Sequence, residues 1–253
     1  MPRKTAGPRV PAGTMKKYRA LRASLAGMGR VLVAFSGGVD SGLLLKAARD
    51  VLGKRASAVT AATEVHTARE IREARKVAAA LGVPLAVVRA RVLEDCNFAA
   101  NPPDRCYHCK MRLFSAFTGM ARRRGIPFVV DGTNADDISD FRPGERALRA
   151  LGVRSPLREA GLGKAEIRLL SKSLGLRTAA RPFLACLASR FPYGTRIDRE
   201  GLRRVERAEE TLRRLGFPQV RVRHHGAVAR IEVEPGWIGR LLARESAAVS
   251  SAS

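Results

Sequence analysis

The run Val31-Leu32-Val33-Ala34-Phe35, followed at once by Ser36-Gly37-Gly38-Val39-Asp40-Ser41, decides the fold. An unbroken apolar run reads as a strand buried on both faces, and the apolar stretch over residues 42–52 as the helix that covers it. In the turn between them, two glycines let backbone N–H groups approach an anion, the helix N-terminus adds its positive end, and the Ser36 and Ser41 hydroxyls can donate to phosphate oxygens. The turn is a cradle for phosphate. It is not a Walker loop, because no Gly-Lys-Ser/Thr follows.

Outward from this loop, strand-like runs lie at residues 30–35, 56–62, 85–92 and 128–131, with helical stretches at 42–52, 67–81 and 109–124 between them. Strand then helix, repeated, predicts an α/β fold with a parallel sheet covered on both faces. Ligands of such sheets bind beyond the carboxyl ends of the strands, which puts Ser36 to Ser41, Thr63 and Asp131 to Asp137 at the site. A further helix over 164–174 ends at Gly175, and a Pro- and Gly-containing loop follows over 181–196. After it the pattern changes to a long charged helix, 198–215, and two short alternating runs, 220–223 and 228–233. The expected organisation is therefore a main domain over 14–196 and a small α+β unit over 197–245. Disordered ends are expected over 1–13 and 246–253.

Composition narrows the partners. The chain has 253 residues, 45% of them hydrophobic, enough for one large domain with a small appendage. Its apolar runs are too short to cross a membrane, and its basic, Pro/Gly-rich start lacks a signal-peptide core, so a cytoplasmic protein without a membrane partner is expected. Lys and Arg number 47 against 23 Asp and Glu, a net charge of +24. Such charge suits nucleic acid. Arginine far outnumbers lysine and alanine is abundant, however, so a compositional bias explains the charge equally, and anionic small molecules including ATP rank ahead of RNA. Four cysteines point to metal binding, catalysis or burial rather than disulfides.

The string Ser36-Gly37-Gly38-Val39-Asp40-Ser41 resembles the loop of the PP-loop ATP pyrophosphatases, which include GMP, NAD and argininosuccinate synthetases and several RNA thiolases. The resemblance implies cleavage of ATP between its α- and β-phosphates, with Ser36, Gly37, Gly38, Asp40 and Ser41 on the pyrophosphate. It implies Thr63, Asp131, Gly132 and Thr133 near the rest of the nucleotide. Asp40 would help place Mg2+, although a helix N-cap role is compatible with it. Ser155-Pro156-Leu157-Arg158-Glu159, with Lys164-Ala165-Glu166-Ile167-Arg168-Leu169-Leu170, is similar to a segment of the GMP and NAD synthetases.

Three further strings narrow the resemblance: Cys106-Tyr107-His108-Cys109-Lys110, Asp131-Gly132-Thr133-Asn134-Ala135-Asp136-Asp137, and Cys186-Leu187-Ala188-Ser189-Arg190-Phe191-Pro192-Tyr193-Gly194. Over residues 30–235 the chain resembles the LarE family, ATP-dependent sulfur transferases that make the nickel-pincer nucleotide cofactor. That likeness implies a small-molecule substrate, pyridinium-3,5-biscarboxylic acid mononucleotide. Each carboxylate would be adenylated and then displaced by sulfur to a thiocarboxylate, releasing AMP. It also implies a homo-oligomer.

The cysteines bear on the sulfur source. Cys106 and Cys109 are spaced so that two thiolates from one turn reach one centre, with Cys186 arriving from a distant loop. The three-cysteine form of the family implies a [4Fe-4S] cluster with one open iron. A zinc half-site, a metal-free helix start, and Cys186 as a sacrificial donor stay open as alternatives. Cys96 reads as a buried small hydrophobe. Lys110 is a candidate for a phosphate or carboxylate, and Arg221 and Arg223, on one strand face, for the substrate's phosphate. Asp136 and Asp137 suit Mg2+, substrate or a helix cap, while His224 and His225 read as structural or exposed. A tRNA 2-thiolation enzyme with the same loop and cluster is the competing function, and a non-catalytic nucleotide sensor a third.

Overall fold

The computed structural model of the chain describes residues 8–139, 143–181 and 185–243. In chain order the elements are α1 (Ala12–Met28), β1 (Val31–Ala34), α2 (Val39–Leu52), β2 (Ala56–Ala62), α3 (Ala68–Ala80), β3 (Leu85–Arg89), α4 (Cys96–Ala99), α5 (Arg105–Arg123) and β4 (Phe128–Val130). They continue with α6 (Pro143–Ala150), α7 (Pro156–Glu159), α8 (Lys164–Ser173), α9 (Arg199–Arg214), β5 (Val220–His225) and β6 (Val228–Val233).

The first four strands form one parallel sheet in the order β3-β2-β1-β4, with Val31 opposite Ala56 on one side and Phe128 on the other. The protein is thus α/β around a parallel sheet, as its pattern predicts. Side chains along β1 alternate between two cores. Val31 and Val33 join Leu21, Leu25, Leu43 and Leu44 on one face, and Leu32 joins Phe98, Phe114 and Phe117 on the other. Covering both faces forces every residue of β1 to be apolar. Beside β4, Arg154 donates its N–H to the Val129 carbonyl at 3.0 Å and accepts from Asp131 at 2.9 Å, a single parallel bridge that carries Ser155 to the sheet's edge.

β5 and β6 pair antiparallel and β5 packs on α9, matching the change of pattern seen in the sequence. Asp198 caps α9, its carboxylate accepting from the Gly201 N–H at 2.7 Å. Thr67 and Glu70 form a capping box at the start of α3.

Three expectations need correction. Order begins before residue 14: α1 starts at Ala12, and Val10 already packs against the core, because Tyr18, Leu21, Leu25 and Met28 form a buried stripe that holds the helix down. Cys96 is exposed rather than buried, since it opens the short α4, whose inward residues are Phe98 and Ala99. The cysteine-bearing helix starts at Arg105, so Cys106 and Cys109 both lie in its first turns. The expected tail over 246–253 and the first seven residues lie outside the described residues.

Candidate active site

β1 ends and α2 begins around the loop Ser36 to Ser41. Gly37 adopts φ +79°, a left-handed conformation that only glycine takes cheaply, and this turns the chain so that Gly38 leads straight into α2. The Ser36 and Ser41 hydroxyls meet at 3.1 Å across the loop, and the Gly38 N–H faces Ser36 Oγ at 3.3 Å. The groups expected to hold phosphate therefore converge on one place in the loop. Asp40 places one carboxylate oxygen, Oδ2, on Lys164 Nζ, while Oδ1 is buried without a protein partner. A carboxylate oxygen free at a phosphate cradle fits a Mg2+ ligand, since Mg2+ takes one or two carboxylates beside phosphates.

The neighbouring strand ends close on this loop. Gly132 lies so near α2 that a Cβ there would meet the Ser41 nitrogen at 2.9 Å, which no side chain can do. Asp131 is buried and fully used: Ser155 Oγ donates to it at 2.7 Å, Thr133 Oγ1 at 2.5 Å and the Thr133 N–H at 3.3 Å. Its role here is to shape the turn. Asp136 accepts from the Lys164 N–H at 2.7 Å, capping α8 and so placing Lys164 against Asp40. Asp137 accepts from the Asn134 N–H at 3.0 Å. Thr63, at the end of β2, shares its hydroxyl with His66 Nδ1 at 2.8 Å, and burial lowers the His66 pKa against an opposing pull from Glu70. Thr63, Glu64, His66, Arg199, Leu202 and Arg203 line a cavity of about 180 Å³ between this strand end and α9. A larger hollow of about 490 Å³ lies at the opposite, amino end of β4 and carries none of the candidate residues.

The three cysteines come together beside this region. Burial pushes the Cys109 thiol up to about 12, and Cys186 and Cys106 push it the same way, which places all three within electrostatic reach. Cys186 is raised for the same reasons, burial first and then Cys106. Cys109 and Cys186 rest against the second core, whereas Cys106 is exposed. Among the described residues, no three His, Cys, Asp or Glu side chains stand ready-made around one metal position. The donor chemistry still fits a metal: thiols that burial keeps neutral are poor nucleophiles alone, and coordination is what removes their protons.

Backbone contacts hold the cysteine segments. The Leu187 N–H donates to the Val65 carbonyl at 3.0 Å, pinning Cys186 to the loop after β2. Asn101, wholly buried at φ +59°, donates to the carbonyls of Pro192 at 2.7 Å and Thr195 at 3.0 Å and accepts from the Gly194 N–H at 2.9 Å. It joins the approach to α5 to the segment after Cys186. On the other side, Arg181 donates to the Gly37 carbonyl at 2.9 Å and to Glu73 at 2.7 Å, so the phosphate loop is tied five residues before Cys186. Five residues span at most roughly 18 Å.

The two arginines expected to grip the substrate's phosphate stand in different surroundings. Arg223 is committed to Glu232 at 2.9 Å and to the Ser189 carbonyl at 2.7 Å, because β6 brings Glu232 beside it, and this makes Arg223 a brace for the Cys186 segment. Arg221 makes no hydrogen bond or ion pair among the described residues. Lys110 lies under α6, where a Cβ on Gly144 would meet its Cδ at 2.7 Å. His224 stacks on Phe191, ring centres 4.8 Å apart, a structural use, and His225 is exposed. The sequence reading missed Lys164, Arg181, Ser155, Asn101 and Arg105. Ser155 and Lys164 carried a signal, each opening one of the two synthetase-like strings.

Comparison with known proteins agrees with this geometry. A family model described as asparagine synthase matches residues 18–139. The chain is 44% identical over 219 residues to the uncharacterized protein slr1717 of Synechocystis sp., covering 87% of this chain and 82% of that protein. It is 40% identical over 227 residues to the pyridinium-3,5-bisthiocarboxylic acid mononucleotide synthase of Lactiplantibacillus plantarum, covering 89% and 82%. A glutamine-hydrolyzing GMP synthase of Chlamydia caviae is 27% identical over 164 residues, covering 58% of this chain and 32% of that one.

Proposed function

This chain belongs to the LarE family of PP-loop, ATP-dependent sulfur transferases, and on that premise we propose that it converts the carboxylates of pyridinium-3,5-biscarboxylic acid mononucleotide to thiocarboxylates. One observation supports the reading: Arg181 ties the phosphate loop to the chain five residues before Cys186, and Cys186 lies within electrostatic reach of Cys106 and Cys109.

A carboxylate resists attack by sulfur until its oxygen becomes a leaving group. In the first half-reaction the substrate carboxylate attacks the α-phosphorus of ATP, forming an acyl adenylate and expelling pyrophosphate. Ser36, Gly37, Gly38 and Ser41 receive the pyrophosphate and Lys164 adds a positive charge, while Asp40 would hold Mg2+, which when bound supplies further neutralisation of the leaving charge. Asp131, Gly132 and Thr133 shape the nucleotide's side of the loop, with Thr63 across from them. In the second half-reaction sulfur attacks the acyl carbon and AMP leaves. Cys106, Cys109 and Cys186 would hold a [4Fe-4S] cluster, which when bound supplies an open iron able to carry sulfur. Lys110 and Arg221 are the candidates to meet the substrate's carboxylate and phosphate.

A cytoplasmic location belongs to the same proposal, since reduced thiols persist there. So does a homo-oligomer, supported by the exposed apolar side chains Val228, Ile231 and Leu242 of the C-terminal unit. Incubation with ATP, Mg2+ and either the pyridinium substrate or bulk tRNA tests the function. AMP release that depends on the small molecule is expected, and release that depends on tRNA would replace this reading with tRNA thiolation. For the sulfur source, anaerobic protein is expected to contain iron and acid-labile sulfide that Cys106→Ala loses. Negligible iron in both, with Cys186 converted to dehydroalanine after turnover, would make Cys186 a sacrificial donor.

A further inference from the structure

Arg105 is a buried cation that no carboxylate answers among the described residues. Only 7% of it is exposed. One guanidinium nitrogen donates to Asn101 Oδ1 at 2.8 Å, the plane lies over the Tyr193 ring at 4.5 Å, and Nε is buried with no partner. A guanidinium cannot shed its proton, and burying it without an opposite charge is costly, so the arrangement is completed by an anion. Its surroundings supply the candidates. Arg105 directly precedes Cys106, and the Tyr193 ring beneath its guanidinium belongs to the segment that follows Cys186. Through Asn101 it is fixed to the carbonyls of Pro192 and Thr195, on the segment that follows Cys186. One side chain therefore touches the frameworks of both halves of the cysteine set.

We propose that Arg105 is the counter-charge of the three-cysteine centre, a positioning residue that offsets the negative charge of the sulfurs when they bind a metal. The inference rests on the reading of these cysteines as metal ligands, but not on which metal they hold. Asp104 does not compete for this cation, because it lies 40% exposed and 3.8 Å from His108 on the outer side of the helix. Arg112, further along α5, is paired with Glu94 at 2.8 Å and serves as a contrast: a cation of the same helix whose charge is already met.

The test is a cobalt(II) titration of the full chain, stripped of metal and kept anaerobic, followed by thiolate-to-cobalt absorption. Arg105→Met is expected to weaken cobalt binding by roughly 10- to 100-fold, the range for groups that support metal ligands. Arg105→Lys, which keeps the charge, should recover most of the loss, and Arg112→Met should bind as the wild type does. Wild-type affinity in a folded Arg105→Met would overturn the proposal, as would an Arg105→Lys as weak as Arg105→Met, or a wild type without thiolate-to-cobalt absorption. Should Arg105→Met fail to fold, Arg105→Gln against Arg105→Lys decides by the same readout, with equal affinities overturning the idea. Wild-type protein that binds cobalt but purifies without iron would end the cluster reading and still uphold the role of Arg105.

Discussion

Burial, with Cys186 and Cys106 beside it, raises the Cys109 thiol from an ordinary 9.0 to about 12. Below about 9 the folded and unfolded chains both hold this proton, so its contribution to stability is complete. As pH rises from 9 toward 12 the unfolded chain releases the proton while the folded one must keep it, and stability falls. The urea midpoint of the metal-stripped protein is therefore expected to drop across that window, and Cys109→Ala to flatten the drop. An unchanged slope in the variant would show that other groups set the alkaline limit. The nearness of Cys109 to Cys106 was readable from their spacing, as the sharp turn of Ser36 to Ser41 was from its two glycines, because each lies within a few residues of chain. Lys164 was not readable as a partner of Asp40, since 124 residues separate them and only the fold joins them.

Helix α1 shows the same limit at the scale of an element. Its sequence is dominated by Lys, Arg and Ala, yet Tyr18, Leu21, Leu25 and Met28 recur at helical spacing and are buried. Buried Thr14 and the more exposed Lys17 donate to Glu166 at 3.1 and 2.7 Å, and Glu166 also accepts from the Gly163 N–H at 3.0 Å. The helix thus steadies the start of α8, where Lys164 faces Asp40. Leu25→Ala is expected to cost about 2–5 kcal/mol, measured by denaturant unfolding, because Leu25 is fully buried. A cost below about 1 kcal/mol would mean that α1 docks only loosely. The strands were legible because a sheet covered on both faces favours near-continuous apolar runs, complete in β1 and β4 and broken by Ser57 and Thr60 in β2 and by Arg89 at the end of β3. The single bridge at Arg154 was not, being too short to have a pattern.

Across the whole molecule, Glu209 joins the parts. It is 0% exposed, pairs with Arg190 at 2.7 Å, and also accepts from Arg213 at 2.6 Å and from the Val222 N–H at 3.2 Å. Arg190 in turn donates to the Ala185 carbonyl at 2.8 Å, so α9, β5 and the Cys186 segment share one buried charge network. Glu209→Ala leaves Arg190 buried and unpaired and is expected to destabilise the fold by about 3–5 kcal/mol. Hydrogen exchange should then quicken in β5 and β6, and protection unchanged there would show that the hairpin is held by its apolar contacts alone. The net charge of +24 gave no such information, because ion pairs of this kind depend on placement rather than on totals. The tie from Arg181 to Gly37, five residues short of Cys186, has one more consequence. On the proposed reading, in which Cys186 belongs to the sulfur-delivering set, an acyl adenylate made at the loop lies within a leash's length of the sulfur that consumes it, and the water-labile mixed anhydride has no need to leave the protein.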